Sequence, residues 1–168
     1  MRSLILLPLV VIAACSPGTQ PKADKPAAAT QPTPPADLPA TSPAALQARD
    51  TVERYFAHIR AKRYGDAYRI WDKDGAATGG SEQDFAETFK IYSVYEPETG
   101  EPTAIKTRDG VQYVLVTATT RVKNAKDGRV ANRSGTVMLR RPAAAGAGES
   151  GGEWKIWEIG RASCRERV

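Results

Sequence analysis

The sequence predicts an α+β domain in which helices come first and antiparallel strands follow. Three observations point there. Apolar residues recur at three- and four-residue spacings up to about Phe89. From Ile91 onward they alternate and become β-branched. Two dipeptides, Asp109-Gly110 and Asp127-Gly128, punctuate the second half as hairpin turns.

The first helix is predicted from Pro43 to about Arg63. Ser42 can cap it, and Pro43 suits the first helical position because its missing N–H has no partner there anyway. Leu46, Val52, Tyr55, Phe56 and Ile59 form one apolar stripe, with Arg49, Asp50, Glu53, Arg54 and Arg60 on the other faces. Gly65 interrupts the pattern, and Tyr64, Ala67, Tyr68 and Trp71 make a second short helix.

Asp72 to Gly80 reads as a loop. Its Asp72-Lys73-Asp74 start is similar to a calcium loop, but Ala76 replaces the third ligand. Ala77 replaces the required glycine, and Gln83 stands where the bidentate glutamate belongs. Ser81 and Asp84 then approximate a capping box, and Phe85 and Phe89 share one face of a third short helix.

Four to five strands are predicted after that. Ile91–Tyr95 begins the first, and Thr103–Lys106 leads into the Asp109-Gly110 turn. Between Val111 and Val122, Val111, Tyr113 and Leu115 face one way and Val114, Val116 and Val122 the other. Arg129–Arg140 returns, with Val137 and Leu139 opposite Met138 in facing. Ala143–Gly152 is a loop, and Trp154, Ile156 and Trp157 make the last strand.

The N-terminus carries an address. Arg2 is followed by an apolar run from Leu4 to Ala14, too short to span a bilayer, which takes about 20 apolar residues. The run closes on Ile12-Ala13-Ala14-Cys15, which resembles the lipobox of bacterial lipoproteins. The resemblance implies that residues 1–14 are a signal peptide and that Cys15 is lipidated and becomes the new N-terminus. It also implies a cell-envelope location. Ser16 after the cysteine fits the outer membrane, facing the periplasm, in a Gram-negative host. Residues 15–42 are a Pro/Ala-rich linker with Leu38 as the single large apolar residue after Ser16. Such a segment cannot bury a core and serves as a semi-extended spacer.

Residues 43–158 make one domain of ordinary size. The last ten, Ile159–Val168, resemble the translation of one reading frame of a common sequencing adapter and are expected to be a non-native tail. Setting aside Arg2 and the tail's Arg161, Arg165, Arg167 and Glu166 lowers the net charge of +5 to +2. The apparent basicity is then an end effect, and a nucleic-acid partner is not expected. With Cys15 lipidated and Cys164 in the tail, no disulfide is expected, so the fold rests on its apolar core.

The element order resembles the nuclear transport factor 2-like (SnoaL-like) superfamily. The resemblance is carried by Val52–Ile59 followed by Tyr64–Trp71, by the hairpin from Val111 to Leu139, and by Trp154–Trp157. It implies a cone in which three N-terminal helices pack on a curved antiparallel sheet and leave a pocket. A cystatin-like fold, with one helix on a sheet, is the nearest alternative, and three predicted helices argue against it. Tyr55, Tyr68, Trp71, Tyr113 and Trp157 are the candidate pocket-lining residues; packing of the same aromatics in the core is the competing reading.

No catalytic residue, metal site or cofactor is expected. His58 is the only histidine and has no evident partner for acid–base work. No Gly-x-Ser-x-Gly elbow, His-Glu-x-x-His pair or glycine-rich phosphate loop occurs. Arg121, Lys123, Lys126, Arg129 and Arg133 crowd the second hairpin, either as a contact surface for anionic envelope polymers or as a solvated face that discourages edge pairing. The expected function is a lipid-anchored envelope protein with a non-catalytic binding or scaffolding domain. Its partners would be the membrane, through the lipid anchor, and a small apolar ligand or an envelope protein. An isomerase, dehydratase or cyclase using the cone pocket is the alternative, and a partner module of an envelope assembly is another.

Overall fold

The computed structural model of the chain describes residues 37–143 and 152–161. Cys15, the expected signal peptide and nearly all of the expected linker lie outside the described residues, as does the expected tail beyond Arg161.

The domain is α+β, a helical segment followed by a five-stranded antiparallel sheet. Helix α1 spans Pro43–Arg60. The Ser42 hydroxyl accepts from the Ala45 N–H, as the sequence led one to expect. The helix ends three residues earlier than predicted: Ala61 caps it and Lys62 takes the left-handed region at φ 58°, which turns the chain into α2, Tyr64–Arg69. A 3-10 segment, Lys73–Thr78, is broken by left-handed Asp74 and Gly75. Helix α3, Glu82–Lys90, opens with a full capping box between Ser81 and Asp84.

The strands are β1 (Tyr92–Pro102), β2 (Lys106–Arg108), β3 (Val111–Asn124), β4 (Val130–Pro142) and β5 (Lys155–Arg161). The sheet order is β1-β3-β4-β5, with β2 also pairing β3. Asp109 and Gly110 both have positive φ, the primed geometry that a two-residue hairpin needs. Ile91 falls outside the first strand; it caps α3 and is exposed. Strand β5 runs three residues past Glu158, pairing Ile159, Gly160 and Arg161 with Val137, Thr136 and Gly135.

The core lies between α1 and one face of the sheet. Val114, Val116, Val137, Leu139 and Ile156 supply the sheet side; Ala44, Ala45, Ala48, Val52, Tyr55, Phe56 and Ile59 supply the helix side. Each fully buried Val or Ile contributes about 1.5–3 kcal/mol of transfer free energy, so these few side chains dominate stability. The helical stripe is corrected at one place. Leu46 is 42% exposed, because the first turns of α1 approach the sheet through alanines. The Trp154 indole N–H donates to the Ala44 carbonyl at 2.9 Å there, a contact that small side chains permit.

The far edge of β5 is also covered. Trp71 bridges Ile156 in parallel sense, and the Asp72 N–H donates to the Ile156 carbonyl. Among the described residues no helix is long and apolar enough to cross a membrane.

Candidate functional site

The core-facing side of the sheet has three zones. The middle is apolar and sealed by α1. At one end sits a buried polar brace: the Arg141 guanidinium hydrogen-bonds Gln112 Oε1 at 2.8 Å and lies over the Trp154 ring at 4.4 Å. A charged cleft of about 350 Å³ opens beside it, lined by Asp50, Arg54 and Glu153 among others. Arg141 is committed to these packing contacts, so that end reads as structure.

The opposite end holds the candidate site. A pocket of about 160 Å³ lies between Phe56 of α1 and the strands β1, β3, β4 and β5. Its apolar wall includes Phe56, Ala118, Val122, Val137 and Ile159; its polar groups include Tyr95, Thr120, Arg133 and Thr136.

Strand parity explains why these residues meet. On β3 the even-numbered residues face the core, so Val122 and Thr120 follow Val114 and Val116. The antiparallel register sets Tyr95 opposite Val122 and Arg133 opposite Thr120, on the same face. A register shift between Tyr92 and Val94 inserts a residue into β1. Tyr92 and Tyr95, three apart, would otherwise point to opposite faces; the bulge brings their rings to 6.1 Å.

The Arg133 side chain is held by Tyr92. Its Nη1 donates to the Tyr92 hydroxyl at 2.7 Å, and its guanidinium carbon lies 5.4 Å from the ring centroid. Burial pushes the Tyr95 phenol up to about 12, partly offset by its hydrogen bond to Thr120. Tyr95 therefore keeps its proton at neutral pH and acts as a neutral polar handle.

An aromatic row leads inward from this pocket. Tyr95 meets Phe89 edge-on at 5.4 Å, Phe89 meets Phe85 at 5.1 Å, and Phe85 meets Tyr55 at 6.4 Å. Tyr55 in turn sits edge-on to Trp71 at 6.3 Å. Tyr64 stacks on Phe89 from outside at 5.5 Å.

The five residues nominated from the sequence fall in different places. Tyr55 is 2% exposed and Trp71 8%; both are core, and burial pushes the Tyr55 phenol up as well. Tyr68 is half-buried, with its hydroxyl donating to the Gly80 carbonyl at 2.9 Å. Tyr113 lies on the outer face of β3, in a groove of about 490 Å³ with Leu115, Met138, Lys106 and Arg108. Trp157 lies half-buried under the Arg140 guanidinium at 3.5 Å, and Arg140 also hydrogen-bonds Asp72. The structure groups Tyr55, Tyr68 and Trp71 around Phe85 and the α2 region, and sets Tyr113 and Trp157 apart from them. Tyr95, Thr120 and Arg133 carry the polar chemistry of the candidate pocket. The sequence offered two signals for them: the strand-like stretch Ile91–Tyr95, which ends on Tyr95, and Arg133 among the cations of the second hairpin.

His58 is mostly buried, with its Nδ1 3.7 Å from Asp66 Oδ2. Asp66 also faces Arg63 and Arg69, so the group ties α1 to α2. Of the hairpin cations, Arg121 pairs with Glu96 at 2.8 Å and Arg129 with Asp127 at 3.5 Å. Among the described residues, no three His, Cys, Asp or Glu side chains gather as metal ligands.

Comparison with known proteins yields no match: no family model, no curated protein and no solved structure is similar to this chain.

Proposed function

We propose that the chain is a lipid-anchored cell-envelope protein whose domain binds a small apolar ligand, without catalysis, in the pocket between α1 and the sheet. The observation that carries this reading is the pocket itself. Its wall of Phe56, Ala118, Val122 and Val137 is apolar, and Tyr95 and Thr120 place hydroxyls beside it. An apolar cavity of about 150 Å³ is enough to take up benzene. A pocket of about 160 Å³ therefore matches one ring-sized group. The Tyr95 hydroxyl, held protonated, suits orientation of a ligand and is poorly suited to removing a proton at neutral pH.

The anchor is proposed from the Ile12-Ala13-Ala14-Cys15 sequence, with the domain at the outer membrane facing the periplasm in a Gram-negative host. A nuclear transport factor 2-like cone, with the helices inside a curved sheet, is the finer fold we propose. What supports it is the order of helices before hairpins and the packing of α1 across β1 and β3.

Native mass spectrometry of the full chain, released gently from a bacterial envelope, tests the pocket. The wild type should carry a retained small molecule or be stabilised by toluene. Ala118→Phe, which directs a ring into the pocket, should lose both effects while staying folded. A wild type that retains nothing and gains no stability from toluene defeats the binding reading. Cys15→Ser should abolish incorporation of labelled palmitate; a variant still labelled defeats the anchor.

A further inference from the structure

We infer that the pocket takes a small amphipathic carboxylate, its apolar body against Phe56, Val122 and Val137 and its carboxylate on the Arg133 guanidinium. The inference rests on the binding reading above and adds the chemical class of the ligand.

Four observations carry it. Arg133 stands on the core-facing side of β4, opposite Thr120, and lines the pocket. It is held in place from the side by the Tyr92 hydroxyl and ring, so a ligand meets an oriented guanidinium and not a free-swinging one. No carboxylate pairs with it among the described residues. The contrast with Arg121 is direct: on the opposite face of the same hairpin, Arg121 is neutralised by Glu96 at 2.8 Å. Finally, the described groups around the pocket are hydroxyls and one cation set against an apolar wall. That arrangement complements an acceptor carrying negative charge on an apolar body. A neutral apolar ligand would leave the guanidinium unused. A dianion would exceed the single positive charge available. The volume limits the buried body to about one ring.

The test is calorimetric titration of the full chain in detergent with phenylacetate, its neutral isostere phenylacetamide, and toluene. Phenylacetate should bind about tenfold more tightly than phenylacetamide, the worth of one charge-assisted contact at a partly exposed site. Arg133→Gln should remove that preference, Arg133→Lys should keep most of it, and Arg121→Gln should leave it unchanged. The preference should shrink as salt rises. Equal affinity for phenylacetate and phenylacetamide, or a preference that survives Arg133→Gln, overturns the inference. Toluene binding with no carboxylate preference overturns it while leaving the apolar pocket standing. Absence of binding by all three overturns both.

Discussion

Gly75→Ala tests how tightly the chain between α2 and α3 is packed. Gly75 has φ +99°, a conformation that side-chain-bearing residues rarely adopt. A Cβ added there would meet Tyr68 Cε1 at 2.0 Å, far inside van der Waals contact. The ring cannot step aside cheaply. Its hydroxyl is tied to the Gly80 carbonyl at 2.9 Å and its edge packs on Phe85 at 5.8 Å. The backbone penalty is about 1–2 kcal/mol, and overpacking adds about 1–3 kcal/mol. Gly79 supplies the control. It has φ +81° but nothing within 4 Å of its would-be Cβ, so Gly79→Ala should cost the backbone penalty alone. In urea unfolding, Gly75→Ala should therefore lose about 1–3 kcal/mol more than Gly79→Ala, a further shift of roughly 4–12 °C in Tm. Removing the ring with Tyr68→Ala should erase most of that excess in a double-mutant cycle. Equal losses at the two glycines, or an excess that persists without the ring, would refute the packing argument.

Other consequences are as direct. Trp154→Phe removes the indole N–H from the buried Ala44 carbonyl and should cost about 1–3 kcal/mol in chemical denaturation, whereas an unchanged midpoint would show that water replaces the donor. The raised pKa of Tyr95 has a definite sign. Below pH 10 the phenol is protonated in both folded and unfolded chains; between pH 10 and about 12 only the unfolded chain ionises, so stability should fall with rising pH across that window. The displacement sets an upper bound of about 3 kcal/mol, and Tyr95→Phe should reduce the slope, leaving the part due to the buried Tyr55 phenol; a slope unaltered by that change would assign it elsewhere. Truncation after Glu158 removes the pairing of Ile159, Gly160 and Arg161 with β4 and should cost about 1–3 kcal/mol, while truncation after Arg161 should keep those pairs. Identical melting of the two truncated chains would show that the end of β5 adds nothing.

Much of the architecture was legible because it is locally encoded. Ser42 with Pro43, and Ser81 with Asp84, satisfy the first N–H groups of their own helices, so neighbouring residues suffice to place those ends. Asp109-Gly110 sets its hairpin through two positive φ angles. The alternation of Tyr113 and Leu115 against Val114 and Val116 is a property of the extended chain itself, and the structure keeps it. Leu46 was not legible in the same way. It fits the helical period, yet alanines take the sheet-facing positions because Trp154, just ahead of β5 and more than a hundred residues away, must reach the Ala44 carbonyl.

The candidate site depended on still longer connections. Tyr95, Thr120 and Arg133 lie on three strands, and their meeting requires both the β1–β3 and β3–β4 registers and the bulge after Tyr92. A one-residue slip in either register would turn the affected side chains to the opposite face. Tyr113 and Trp157 show the converse: period-two alternation tells that a residue points away from its neighbours, but not which face the helices will cover. By itself the sequence determined the helix caps, the turns and the order of elements, because each of these is settled within a few residues of chain. Only the tertiary structure decided which aromatics are core, which lie on the outer face, and which polar groups ring a pocket, because those outcomes follow from pairings between segments far apart in sequence.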